Sequence, residues 1–225
     1  MEIDGFGYKN MWFAVKNGEA EEIIRALGLE PGGKCAWSEG LEAAYEFGSG
    51  KVFVTPRLDG WTICVGTGLF PFEERDRFVE ETTKLAVALG TEVQFFATHR
   101  VVEAHAWARA TPNGLVRAYR FVGERGETST DIGAETTEER ELGFRFFDER
   151  SQDARQDGYW DRTDLSFPNE ESVMLLAGKW SVDPTKLDGR EVGDGVGMLA
   201  TVPGGEKSVS HPSPLNSSRP WWKFW

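Results

Sequence analysis

Residues Thr91 to Glu124, TEVQFFATHRVVEAHAWARATPNGLVRAYRFVGE, constrain the fold more than any other stretch. Two runs of alternating side chains flank Asn113-Gly114, a dipeptide that favours the tight turn of an antiparallel hairpin. With a two-residue turn there, Ala110 faces Arg117, Ala108 faces Tyr119 and Ala106 faces Phe121. One face then carries Val102, Ala104, Ala106, Ala108, Leu115, Tyr119 and Phe121. Small residues opposite rings let the rings lie across the neighbouring strand, each pair contributing roughly 0.2–1 kcal/mol, so this reads as the core face. The other face carries Glu103, His105, Trp107, Arg109, Arg120 and Glu124. Solvent and the floor of a groove are the two surroundings open to it, and solvent is the commoner.

Around this hairpin the chain reads as strands and helices that do not strictly alternate. Met11 to Lys16 is a strand running into Asn17, which can cap a helix with an apolar stripe of Ala20, Ile23, Ile24 and Leu27, stopped by Gly28. Val52 to Val65 reads as a second hairpin about Asp59-Gly60, pairing Val54 with Val65, Pro56 with Ile63 and Leu58 with Trp61. Pro56 cannot donate a ladder hydrogen bond, which argues for an edge strand. Glu73 to Leu89 is the clearest helix, closed by Gly90, and two more are expected at Thr137 to Phe144 and Asn169 to Trp180. The expected class is therefore α+β, a mainly antiparallel sheet with helices packed on one face. Residues 1–187 read as a single such domain, and 188–225 as an irregular Gly/Ser/Pro-rich arm ending in an aromatic tail.

Charge narrows the partners. The 225 residues hold 37 acidic against 25 basic side chains, a net −12, with no basic block carrying interleaved aromatics. Nucleic acid is excluded as an expected partner and an anionic membrane is disfavoured, while a basic protein remains compatible. There is no basic and apolar leader at the N-terminus and no run near the roughly 18 apolar residues of a spanning helix, so a cytoplasmic location is expected. Cys35 and Cys64 are too few for a disulfide framework and read as packed thiols.

Chemistry has few candidates. Gly193, Gly195 and Gly197, and the segment Gly48-Ser49-Gly50-Lys51, lack the strand and helix context of a phosphate loop, so no cofactor is expected. His99 and His105 lie close in sequence, and with the strand continued through His99 they share a face with Glu103, Glu103 and His105 lying about 6–7 Å apart. Such a pair can orient a general base, but a metal needs a third ligand that the local sequence does not supply. A turn at Thr98 to Val101 would instead carry His99 away. Trp107 opposite Arg120 suggests a cation–π contact, and Glu103 opposite Glu124 calls for a nearby cation such as Arg100 or Arg125. The binding candidates are thus Glu103, His105, Trp107, Arg109 and Arg120, with no catalytic or metal residue assigned. The terminal Trp221, Trp222, Phe224 and Trp225 carry apolar burial of roughly 6–12 kcal/mol before ordering costs. They are expected to dock on the protein's own surface or a second copy, then on a partner, with a membrane last because the body repels anionic lipid.

Several segments together resemble a family of uncharacterised bacterial proteins. They are Trp12-Phe13-Ala14-Val15-Lys16 before a helix, Pro56 followed by Asp59-Gly60-Trp61-Thr62 and Val65-Gly66, Gln94-Phe95-Phe96 leading into Thr98-His99-Arg100-Val101-Val102, and Trp180-Ser181-Val182-Asp183-Pro184. The resemblance covers most of residues 11–187, implies a bacterial intracellular protein, and transfers no activity or functional residue. Small acidic α+β proteins of this character include immunity proteins of bacterial toxin systems. The resulting expectation is a non-enzymatic intracellular binding protein, an immunity-type neutraliser of a basic protein. The alternative is a small-molecule-binding enzyme or sensor that uses the polar face around Glu103, His105, Trp107, Arg109 and Arg120. An exposed acidic or aromatic patch favours the first, and a pocket where these groups converge favours the second.

Overall fold

The structure, a computed structural model, describes residues 2–204 apart from 72, 73, 75, 124 and 125. The aromatic tail Trp221, Trp222, Phe224 and Trp225, Glu124, and the expected helix start at Glu73 lie outside the described residues. In chain order the elements are β1 (Met11–Lys16), α1 (Ala20–Ala26), β2 (Glu30–Ala36), α2 (Trp37–Tyr45), β3 (Lys51–Val54), β4 (Trp61–Val65) and α3 (Arg77–Leu89). They continue as β5 (Val93–His99), β6 (Ala104–Thr111), β7 (Gly114–Val122), β8 (Glu127–Ile132), α4 (Thr137–Glu141), α5 (Glu170–Trp180) and β9 (Val196–Thr201). The described strands form one sheet in the order β2-β9-β3-β4-β1-β5-β6-β7-β8. All its ladders are antiparallel, so the α+β class read from the sequence is the class observed.

The helices, expected on one face, cover both. In β1 the side chains of Trp12 and Ala14 join a core beneath α2 and α5, while Met11, Phe13 and Val15 join another with α1 and α3. The central strands are apolar at consecutive positions, and such a strand gains its burial only between two layers. β4 shows the same, each of its residues being buried. The alanines Ala106, Ala108, Ala110 and Ala118 belong to the α3 core. Their small side chains admit the helix close to the sheet.

The main hairpin turns one residue earlier than expected. Thr111 pairs with Gly114, leaving Pro112-Asn113 as the loop, and Ala110 pairs with Leu115. Proline presets the backbone for the first turn position, which competes with Asn-Gly. Arg109 then pairs with Arg117, so Val116 has no opposite residue and bulges outward. The shift sets Ala108 against Ala118, Trp107 against Tyr119 and His105 against Phe121. Tyr119 and Phe121 thereby move to the Trp107 face, because a one-residue slip exchanges the two faces.

Four further expectations are corrected. Asn17 does not cap α1: it takes a left-handed φ of 51° and its N–H donates to the Gly60 carbonyl at 2.7 Å, leaving Glu19 at the helix start without a side-chain cap. β3 is no edge strand, since it lies between β9 and β4, and Pro56 falls after its last residue, where no ladder bond is lost. The Asp59-Gly60 turn is present with Leu58 opposite Trp61, but Phe53 and not Val54 faces Val65. Finally, the arm expected to be irregular from residue 188 contains β9, which inserts between β2 and β3. Gly197 permits this, for a Cβ there would lie 2.4 Å from the Phe53 ring. Cys35 and Cys64 are buried and unlinked.

Candidate functional site

The five candidate side chains do not share one surface. Trp107 is fully buried, stacked on Tyr119 with ring centroids 4.5 Å apart, and its Nε1 donates to Glu139 at 2.9 Å. The same carboxylate accepts two bonds from Arg117 Nε, at 3.0 and 3.1 Å, and one from the Thr136 N–H at 2.7 Å. This is a satisfied buried ion pair that ties α4 to the sheet. Arg109 is held by Glu92 at 2.8 Å and lies over the Trp180 ring. Arg120 sits opposite Ala106, on the α3 side, where it donates to Ser129 at 3.2 Å. The expected Trp107–Arg120 contact is therefore replaced by ring stacking, because the bulge at Val116 brings Tyr119 across from Trp107.

Glu103 and His105 do come together, in an open cleft of about 700 Å³. His105 of β6 lies in its floor, paired on one side with Thr98 of β5 and on the other with Phe121 of β7. The turn between β5 and β6 supplies Arg100 and Glu103 on one side. The start of α5 supplies Asn169, Glu170 and Glu171 on the other, with Phe167 and Tyr8 at the margins. His99 ends β5 opposite Ala104, so alternation puts it on the face away from His105. The expected grouping of His99 with Glu103 and His105 does not occur.

Local structure explains each wall. Asn169 caps α5 by accepting from the Ser172 N–H at 2.8 Å, and Glu170 and Glu171 in the first turn complement the helix dipole. Glu170 is fixed by the Thr98 hydroxyl, which donates to it at 3.1 Å, and by Arg100 at 3.8 Å. Glu103 adopts a left-handed φ of 46°, which brings its side chain over Gly123, where any Cβ would collide with it. Phe167 packs on Phe121 and on Phe147, with centroids 5.8 and 4.8 Å away, yet remains half exposed.

Electrostatics separates the floor from the walls. His105 is only 2 % exposed and burial pushes its imidazole down to about 4, so it is neutral at physiological pH. Its Nδ1 has no hydrogen-bond partner among the described residues. Tyr8 is raised by burial and then by Glu170, keeping its phenol neutral. Among the described residues of the lining, the carboxylates Glu103, Glu170 and Glu171 thus stand against the guanidinium of Arg100 around an uncharged floor. No group of three or more His, Cys, Asp or Glu with metal-binding geometry occurs among the described residues.

Sequence reasoning missed Tyr8, Phe167, Glu170 and Glu171 as cleft residues. The helix start at Asn169 was legible, but nothing local in the sequence says that it lies beside β6. No helix among the described residues is long and apolar enough to cross a membrane. The chain gives no significant match to a family model, to a curated protein or to a solved structure.

Proposed function

We propose that this is a non-catalytic binding protein whose cleft beside the start of α5 receives a basic segment of a protein partner, in the manner of an immunity-type neutraliser. The observation that carries the reading is the cleft's charge: Glu103, Glu170 and Glu171 converge on a neutral floor, with Arg100 as the one cation among the described residues of the lining. The net −12 of the chain extends the same field outward and steers a positively charged partner toward it. Catalysis by His105 is disfavoured on physical grounds. A general base works best with a pKa near the operating pH and with a third group orienting its ring, whereas burial holds His105 near 4 and leaves its Nδ1 without such a group.

The test is fluorescence anisotropy with short basic, neutral and acidic peptides. Basic peptides are expected to bind selectively, to weaken as salt shortens the field to about 8 Å at physiological ionic strength, and to lose affinity in the Glu103→Gln/Glu171→Gln double variant. Basic peptides that fail to bind, or that bind the double variant as well as the parent, would remove the reading.

A further inference from the structure

Three rings stack in the segment between α4 and α5. Phe147 is buried between Trp160, 5.4 Å away with planes 22° apart, and Phe167, 4.8 Å away with planes 30° apart. Tyr159 closes the stack edge-on against Phe147 and Trp160, and Phe121 of β7 backs Phe167 at 5.8 Å. The two outer rings, Trp160 and Phe167, are left 47 % and 49 % exposed. Apolar side chains scattered singly over a surface need no explanation, but neighbouring exposed rings mark a contact surface. Phe47 is the other exposed ring among the described residues, and it joins no such stack.

The chain carries an occupant of matching chemistry outside the described residues, Arg219-Pro220-Trp221-Trp222-Lys223-Phe224-Trp225. Its rings suit the free faces of Trp160 and Phe167, since aromatic pairs favour offset or edge-on contact beyond the area they bury. Its two cations suit the surroundings: within residues 151–164, Arg162 is held by Asp164, which leaves Asp153, Asp157 and Asp161 against Arg155. The reach is sufficient. Phe121 backs the stack from β7, six strands from β9 in the sheet order, about 29 Å at the usual strand spacing. Trp221 follows the last described residue, Gly204, by 17 residues, which span up to about 56–61 Å. A tether of this length presents its end at an effective concentration on the order of millimolar, ahead of untethered rivals. Two copies meeting stack to stack would instead set Asp157 and Asp161 against their counterparts, between chains of net −12. We propose that the segment 219–225 docks on the exposed faces of Trp160 and Phe167 of its own chain.

The experiment places a photo-crosslinking ring in the tail of the full chain, Phe224→p-benzoylphenylalanine. Products are mapped by mass spectrometry in a mixture of unlabelled and heavy-isotope chains. The main product is expected to join position 224 to residues 147–167 of the same chain. The double substitution Trp160→Ser/Phe167→Ser is expected to lower its yield by about tenfold, with the fold checked by circular dichroism. If that variant does not fold, the map obtained with Trp160 and Phe167 in place still decides. Products joining differently labelled chains would put the tail on a second copy and overturn docking within the chain. Products elsewhere on the body, around Phe47 for one, the absence of a product, or a yield that survives the double substitution would overturn the two rings as the receptor. The experiment reads only where the tail lies, so docking can fail while basic peptides still bind the cleft, and the reverse.

Discussion

His105 enters the folded state as a neutral ring, its pKa pushed by burial from 6.5 down to about 4. Between those values the unfolded chain takes up a proton that the folded chain refuses. The stability it contributes is therefore fully present above the unfolded pKa of 6.5 and is lost as pH falls through 4, a change of about 3 kcal/mol at most. Glu103, Glu170, Glu171 and Arg100 share the cleft and are the same in parent and variant. Urea midpoints of the parent should fall more steeply between these pH values than those of His105→Phe, and parallel slopes would assign the loss to other groups. Glu139 makes a second prediction. Glu139→Ala strands Arg117, whose side chain is 4 % exposed, and removes the acceptor of Trp107. A loss of about 3–5 kcal/mol in denaturant unfolding is expected, and a loss below about 1 kcal/mol would mean that Asp131 alone satisfies Arg117.

At the scale of elements, close approach between layers depends on residues without side chains. Gly40 in α2 rests on Phe53, and a Cβ there would stand 2.1 Å from the ring, while Gly197 of β9 meets the same ring from the sheet. Alanine gains about 1 kcal/mol of helix propensity over glycine. Overpacking a filled core costs about 1–3 kcal/mol, and Phe53 is fully buried against Trp37, so the clash outweighs propensity and Gly40→Ala should lower the melting temperature. A rise would show that α2 can slide. The cap of α5 is a gentler lever: Asn169→Ala should cost about 1 kcal/mol and weaken peptide binding in the same variant, because Glu170 and Glu171 are positioned by that first turn. The helix beginning at Asn169 was legible because a helix start is a local event. The hairpin register was not, because Pro112 and Asn113-Gly114 each encode a sound turn, and the bulge at Val116 that decides between them places Tyr119 against Trp107 far from the turn itself.

For the whole molecule the decisive element is β9. It bonds to β2 on one side and β3 on the other, so β2 meets the rest of the sheet through a segment from near residue 200. Ending the chain at Gly195 should abolish the cooperative unfolding transition seen by circular dichroism, since it opens two ladders and uncovers Phe53. A truncated chain that melts like the parent would mean that β3 and α2 hold without it. The distance in sequence between β9 and its partners also explains why the arm read as irregular. A six-residue strand that mixes small and large residues, Val-Gly-Met-Leu-Ala-Thr, carries little periodicity, and only the slot between β2 and β3 makes it a strand.

From the residues alone came the antiparallel α+β class, the strand and helix segments between β1 and α5 that carry strong periodicity, the glycine stops after α1 and α3, and the acidic composition. These are local or summed properties, written in spacing and composition. The tertiary structure alone decided which face each side chain took, that both faces of the sheet are covered, that Arg120 and Trp107 leave the candidate set, and that the start of α5 stands over His105. Those outcomes depend on register, and register is chosen by contacts between segments tens of residues apart, where one residue of slip reverses a strand's two faces.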